Sequence, residues 1–264
     1  MDSDVNDNDR YIVPGLVRGL EILQAFSIDK PQLGIAEIGR ELGVSRSTAF
    51  RLVFTLEKMG FLKRIEHSKK YSLGLRVLDL GFKFLSGMDI VDLARPHLES
   101  LSDETNASSH LAVRDGREIV YIARATAKHT FVGTVAVGVG TRLPAHATSS
   151  GRILLSDLSI AEIAQLYEGV PLQTFTDQTP ATLGDLINLL EKDRNTGYVL
   201  SWGAFEKNLA SIAVPVRDSS RKTVASINIS CSTGTYTKEE LKKAILPKVQ
   251  ATASIISSAL GYRE

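Results

Sequence analysis

The stretch from Leu33 to Arg64, LGIAEIGRELGVSRSTAFRLVFTLEKMGFLKR, decides the fold of the first part of this chain. Apolar residues recur at helical spacing over residues 35–42, and Gly43 ends that pattern. Ser45 is placed to cap a second helix, which runs to about residue 59 and stops at Gly60. Two short helices joined by a tight, glycine-containing turn predict a helix-turn-helix, which is a DNA-binding motif.

The second helix of this motif has two distinct faces. Residues at helical spacing predict a buried face, made of Ala49, Leu52, Val53, Leu56 and Met59. The opposite side carries polar and aromatic residues suited to the major groove of DNA: Arg46, Ser47, Phe50 and Arg51, followed by Phe54 and Lys58. Arg46 and Arg51 could donate bidentately to guanine or neutralise a phosphate, and Phe50 is suited to contact a thymine methyl group.

A short hairpin follows, because FLKRIEHSKKYSL alternates around a basic loop. Residues 35–76 hold nine basic and four acidic side chains, although the whole chain has a net charge of only +1. This local excess favours phosphate contacts from the hairpin, through Lys63, Arg64, Lys69 and Lys70.

Two further helices flank the motif. One begins near Pro14, where Leu16, Leu20, Leu23 and Phe26 predict a buried stripe. The other covers about residues 75–85, and its apolar residues predict a linker helix that packs on a partner. The start of the chain, residues 1–13, is polar and acidic, which predicts a disordered tail.

The pattern changes from residue 90, where helices alternate with strand-like runs, one of them at residues 130–137, and a long helix over residues 238–260 closes the pattern. This mixture predicts an α+β domain with a mostly antiparallel sheet. A length of 264 residues fits two modest domains. The single cysteine, Cys231, excludes an internal disulfide, and no apolar run reaches the length of a membrane span. We therefore expect a cytoplasmic protein without membrane contact.

The stretch RLPAHATSSGRILL, residues 142–155, admits two interpretations. His146 and Ser149 could be the base and nucleophile of a hydrolase. Alternatively, Ser149, Ser150 and Gly151 could begin a helix whose amide groups and dipole favour an anion. The sequence offers no orienting acid, no G-x-S-x-G elbow and no metal-ligand spacing, so we expect no catalytic residue, metal or cofactor.

Several segments together resemble the IclR family of bacterial transcriptional regulators. They include GLVRGLEILQAFS, the helix-turn-helix stretch, YSLGLRVLDLG, HLAVRDGREIVYIAR, RLPAHATSSGRILL, GYVLSWGAFEKNLASIAVPVRD and VASINIS. The resemblance covers about residues 14–262, in the family's order. In detail it is nearest to the branch that controls catabolism of aromatic acids.

The resemblance implies a GAF-like C-terminal domain that binds a small metabolite, commonly a carboxylate. The residues that it implies for this site are Val132, Val135, Ser149, Ser150, Ser201, Trp202, Leu209, Ser211, Asn228 and Ser230. This chain departs from the family in SWGAFEKNLA, where acids are usual ahead of the strand and an arginine is common at the position of Ala210. Trp202 and Phe205 could stack on an aromatic ring there.

We therefore expect a winged helix-turn-helix at residues 14–76, a linker helix at 77–89 and an effector-binding domain at 90–264. The expected function is sequence-specific transcriptional regulation controlled by a small organic acid, for which an aromatic acid is a candidate. The expected partners are double-stranded operator DNA, the organic acid and further copies of the chain, as a dimer or tetramer. A Ser/His hydrolase and a ligand sensor that does not bind DNA remain as alternatives.

Overall fold

The computed structural model describes residues 11–126 and 137–263. The chain divides into two compact units, Met1–Gly87 and Met88–Glu264. The predicted tail therefore lies mostly outside the described residues, as does most of a strand that the sequence predicts at residues 130–137.

The described residues of the first unit form four α-helices and a small antiparallel sheet. The helices are α1 (Pro14–Gln24), α2 (Ile35–Glu41), α3 (Arg46–Lys58) and α4 (Arg76–Ser86). The strands are β1 (Leu33–Gly34), β2 (Leu62–Arg64) and β3 (Lys70–Leu73), in the order β1-β3-β2. The predicted helix-turn-helix and hairpin are confirmed, whereas β1 is an additional short strand.

Local signals explain where these helices begin and end. The Ser45 hydroxyl accepts a hydrogen bond from the Thr48 amide at 3.2 Å, and so caps α3 as expected. Gly43 and Gly60 have φ angles of +62° and +78°, which a side chain would disfavour. The core of the unit is made of Ile22, Phe26, Leu33, Ile38, Ala49, Val53, Leu62 and Tyr71.

The structure corrects part of the predicted core. Leu16 and Leu20 are 63% and 52% exposed, because α1 is buried through Ile22 and the residues near its C-terminal end instead. Met59 is also exposed, since it follows the last turn of α3 as the C-cap residue. The helix α4 has no buried residue at all.

The second unit contains a six-stranded antiparallel sheet among its described residues, in the order β6-β5-β4-β9-β8-β7. The strands are β4 (Ser108–Asp115), β5 (Glu118–Ala125), β6 (Arg142–Pro144), β7 (Val199–Trp202), β8 (Leu209–Arg217) and β9 (Thr223–Ser232). The helices are α5 (Asp89–Thr105), α6 (Ser149–Ser156), α7 (Ile160–Leu166), α8 (Leu183–Thr196), α9 (Lys238–Glu240) and α10 (Leu246–Ala259). The α+β class is confirmed.

The single closing helix predicted over residues 238–260 is interrupted. A π-helical turn, Leu241–Ile245, separates α9 from α10. Pro247 lies in the first turn of α10 and has no amide proton to continue the regular hydrogen-bond ladder, which accounts for the wider turn before it.

Helices cover both faces of the sheet. On one face lie α5 and α10, where the Ser109 hydroxyl donates to the Leu98 carbonyl of α5 at 2.6 Å. On the other face lies α6, which contacts β8 and β9 and packs Ile153 against Val199 and Ala213. This second face carries the candidate effector site. No helix in the described ranges is long and apolar enough to span a bilayer.

Candidate functional site

The candidate DNA-binding residues all lie on the surface of the first unit. Arg46, Ser47, Phe50 and Arg51 are exposed on the first two turns of α3, on the side away from buried Ala49 and Val53. The helix therefore presents a basic and aromatic surface while its other side holds the core.

The four candidate phosphate contacts lie on the hairpin. Lys63 and Arg64 belong to β2, Lys69 lies in the turn and Lys70 begins β3, and all four are exposed. Arg64 pairs across the ladder with Tyr71, whose buried ring anchors the hairpin to the core.

In the second unit, the candidate site lies where α6 begins. Thr148 is the N-cap residue, and its hydroxyl accepts from the Gly151 amide at 3.2 Å. Ser149 and Ser150 are the first two helical residues, so their amide groups have no carbonyl one turn earlier in the helix. Gly151 is required here because a Cβ at this position would lie 2.6 Å from the carbonyl carbon of Ala145.

Two hydroxyl groups of α6 reach the sheet directly. The Ser211 hydroxyl on β8 donates to the Ser149 hydroxyl at 2.8 Å. The Ser150 hydroxyl donates to the Asn228 side-chain oxygen on β9 at 3.0 Å. All four side chains are buried. The N-terminus of α6, which is the positive end of the helix dipole, is therefore surrounded by hydroxyl and amide groups.

Serine residues form a continuous row across the sheet beneath this helix end. The strand registers pair Ser108 with Ser230, Ser230 with Ser211, and Ser211 with Ser201. Residues that pair directly across strands share a face of the sheet, so this row extends over four strands. Leu209 lies two residues before Ser211 and hence on the same face.

Not all of the expected effector-binding residues meet at this point. Trp202 follows Ser201 and so lies on the opposite face of β7, where Lys238 stands over its ring at 5.5 Å. Phe205 packs instead against Phe175, with ring centroids 4.8 Å apart. Val132 and Val135 lie outside the described residues.

Two residues of the site were missed by sequence reasoning, Ser108 and His110 on β4. Ser108 begins the serine row, and His110 pairs with Asn228 on the same face. The alternation in SSHLAVRD is the signal that could have found them, because Ser108 and His110 are two residues apart on one strand.

The His110 side chain is 4% exposed, and its ring lies 5.2 Å from that of Tyr121. Burial, together with a smaller contribution from the positive charge of Arg124, lowers its pKa to about 3. His110 is therefore neutral near pH 7. Within the described part of the chain, its Nδ1 atom has no hydrogen-bond partner.

His146 and Ser149 are each engaged elsewhere. The His146 Nε2 atom lies 2.9 Å from the Gln173 carbonyl oxygen and must donate to it, since a carbonyl oxygen only accepts. The ring of His146 packs near Tyr167 and Phe175. Within residues 11–126 and 137–263, no group of three or more His, Cys, Asp or Glu side chains is arranged to hold a metal ion.

A buried ion pair fixes α6 to α8. Arg152 donates to both carboxylate oxygens of Asp193, at 2.8 and 2.6 Å. Burial raises the pKa of the Asp193 carboxyl, while the charge of Arg152 opposes that shift. The bidentate geometry holds the helix in one orientation over the sheet.

The chain matches two family models, one for each unit. Residues 15–66 match the IclR helix-turn-helix domain, and residues 82–258 match the bacterial transcriptional regulator IclR C-terminal domain.

Relatives align over nearly the full chain. The HTH-type transcriptional regulator XynR of Escherichia coli is 32% identical over 252 residues, which cover 95% of this chain and 98% of the relative. The p-hydroxybenzoate hydroxylase transcriptional activator of Acinetobacter baylyi is 31% identical, covering 92% of this chain and 90% of the relative. An IclR homolog from Microbacterium hydrocarbonoxydans, crystallised with 4-hydroxybenzoate, has a TM-score of 0.82 at 25% identity, covering 94% of this chain and 99% of that structure.

Proposed function

The chain belongs to the IclR family of bacterial transcriptional regulators, and from this premise we propose that its effector is a small aromatic carboxylate bound at the N-terminus of α6. In the same proposal, α3 and the β2–β3 hairpin bind operator DNA. The expected linker at residues 77–89 transmits the effector signal between the two units.

The observation that carries the effector proposal is the concentration of buried hydroxyl groups around the start of α6. Ser149 and Ser150 supply amide and hydroxyl donors, and the serine row supplies further hydroxyl groups below them. A carboxylate is stabilised by such donors and by the helix dipole. Two relatives whose names include hydroxybenzoate favour an aromatic acid.

Calorimetric titration of the full chain tests the effector class. We expect 4-hydroxybenzoate to bind at least about tenfold more tightly than 4-hydroxybenzyl alcohol, because only the acid supplies a charge for the amide and hydroxyl donors. Equal affinity for the two compounds would contradict the proposed carboxylate site.

Two serine variants on α6 form a matched pair for the same titration. Ser150→Ala removes the hydroxyl that bonds Asn228, and we expect about a tenfold loss of affinity. Ser156→Ala is the control, because the Ser156 hydroxyl donates to the Ile153 carbonyl at the other end of the helix.

DNA recognition is tested with a duplex selected from a random library by the full chain. Arg51→Ala is expected to lower the affinity for that duplex about tenfold, within the range of a lost base contact. Arg95→Ala removes an exposed charge on α5 in the second unit and serves as the control. Unchanged affinity of the Arg51 variant for the duplex would exclude α3 as the helix that contacts the bases.

We propose self-association through the exposed apolar residues of the first unit. Exposed apolar residues at helical spacing lie on α1 and just before it: Val13, the N-cap residue, followed by Leu16, Val17 and Leu20. On α4, Leu78 and Phe82 are both 67% exposed and one turn apart. A second copy of the chain fits these surfaces, because a two-fold dimer matches two operator half-sites.

Light scattering measures that association. Phe82→Glu places a charge in the apolar face and should shift the particle mass towards the monomer. Lys83→Glu changes a neighbouring residue on the polar side of α4 and should leave the mass unchanged. Equal masses for wild type and the Phe82 variant would contradict the assignment.

We also propose that the protein is not a hydrolase. The support is the hydrogen bonding of His146 to Gln173 and of Ser149 to Ser211, which leaves neither side chain directed at the other as a base would be. Turnover of a nitrophenyl ester that disappears in Ser149→Ala would overturn this assignment.

A further inference from the structure

The aromatic residues of α3 are an unusual feature of its exposed side. Phe50 and Phe54 are 52% and 47% exposed, and their rings stack with centroids 6.2 Å apart. Aromatic side chains on a solvent-facing helix side leave considerable apolar surface in contact with water, which favours a partner for that surface.

The charges around the rings indicate the chemistry of this partner. Arg46, Arg51 and Lys58 are exposed on the same side of α3, against a single acid, Glu57, in the last turn. Lys58 stands over the Phe54 ring at 5.6 Å, and this cation–π contact helps to orient that ring. A basic surface with an apolar centre fits the major groove, where phosphates border the exposed methyl groups of thymines.

We infer that Phe50 and Phe54 together read two thymine methyl groups in each operator half-site. The inference rests on the proposed placement of α3 in the major groove and extends it to a second aromatic residue. Four residues of helix advance about 6 Å, and successive nucleotides of one strand are about 3.4 Å apart. The two rings therefore match methyl groups about two base steps apart.

Replacing thymine by deoxyuridine in the selected duplex tests this inference, since only the C5 methyl group is lost. Affinity is measured by fluorescence anisotropy for each substituted position. Burial of one methyl group corresponds to about a fourfold change in affinity. We therefore expect about a fourfold loss at each of two positions per half-site, and no loss at the other thymines.

Variants connect each position to its ring. The Phe50→Ala variant should have the same affinity for the duplex with thymine and the duplex with deoxyuridine at one of the two positions. The Phe54→Ala variant should show the same equality at the other position. Both rings are about half-exposed, so their removal leaves the core of the unit intact. Met59→Ala is the control, because Met59 is an exposed apolar residue on a different side of the same helix end.

The outcomes separate this inference from the proposed function. If Arg51→Ala weakens binding but complete deoxyuridine substitution does not, α3 binds DNA and the methyl readout is wrong. If neither Arg51→Ala nor the phenylalanine variants affect DNA binding, the placement of α3 itself is wrong. Should the phenylalanine variants change the particle mass but not DNA affinity, the rings instead contact another protein chain, which also overturns the inference.

Discussion

Substitution of Gly151 by alanine would test how closely α6 must approach the turn before it. An added Cβ would lie inside van der Waals contact with three backbone atoms of Ala145, and 2.6 Å from its carbonyl carbon. Overpacking costs about 1–3 kcal/mol, and here the opposing atoms are backbone atoms that cannot rotate away. Alanine is favoured over glycine within a helix by up to about 1 kcal/mol. With the overpacking cost at the upper end of its range, about 3 kcal/mol, we expect a net loss of about 2 kcal/mol in the free energy of unfolding.

Trp202 is the only tryptophan and lies in the second unit, so its fluorescence reports unfolding of that unit. A loss of this size lowers the melting temperature by about 4–8 °C. Gly184→Ala is the matched control, because Gly184 is exposed near the start of α8. A Cβ added there would lie 3.8 Å from its nearest neighbour, the Thr182 hydroxyl oxygen, which is ordinary van der Waals contact. Stability of the Gly151 variant equal to or above that of wild type would refute the reasoning.

Three further predictions concern pH, effector and salt. Because the folded state lowers the pKa of His110 to about 3, the unfolded chain binds the extra proton first as the pH falls below about 6.5. Stability should consequently decrease by about 2 kcal/mol between pH 7 and pH 5, and His110→Leu should lose this part of the dependence in urea titrations at the two pH values. Asn228→Ala should weaken binding of 4-hydroxybenzoate in calorimetry while the affinity for the selected duplex persists, and parallel loss of both activities would indicate misfolding instead. Lys69→Ala should weaken binding to all duplexes alike and reduce by about 0.9 the slope of the logarithm of the binding constant against the logarithm of the salt concentration. Arg51→Ala, in contrast, should relax sequence specificity. An unchanged slope for Lys69→Ala would exclude its contact with phosphate.

The first unit was largely predictable from the sequence, because its signals are local. Gly43, Ser45 and Gly60 fix the bounds of α2 and α3 through backbone conformation and capping, and both effects act within a few residues. The apolar stripe of α1 was predicted correctly for Leu23 and Phe26, which contact the core, but incorrectly for its first two turns. Helical periodicity identifies an apolar side of a helix, but it does not tell whether that side contacts the chain's own core. Leu16 and Leu20 are therefore apolar and yet exposed.

The candidate effector site was only partly predictable, since its residues meet through strand pairing. The sequence alternation correctly grouped Asn228 with Ser230, which are two residues apart on β9. It did not reveal that Ser108 and His110 lie beside them, because that depends on the pairing of β4 with β9 across more than a hundred residues of chain. The direction of Trp202 follows from the same principle: one position along a strand changes the face.

The hydroxyl pairs between α6 and the sheet have a consequence for how an effector must compete. Ser149 is already hydrogen-bonded to Ser211, and Ser150 to Asn228, within the protein. An anion that uses the same hydroxyl groups exchanges one set of hydrogen bonds for another, so its affinity reflects the difference between the two sets. The exchange would also release the first turn of α6 from the sheet while Arg152 keeps the next turn attached to Asp193. An effector bound at this helix end would therefore loosen its contacts with the sheet, while the ion pair keeps α6 attached to α8.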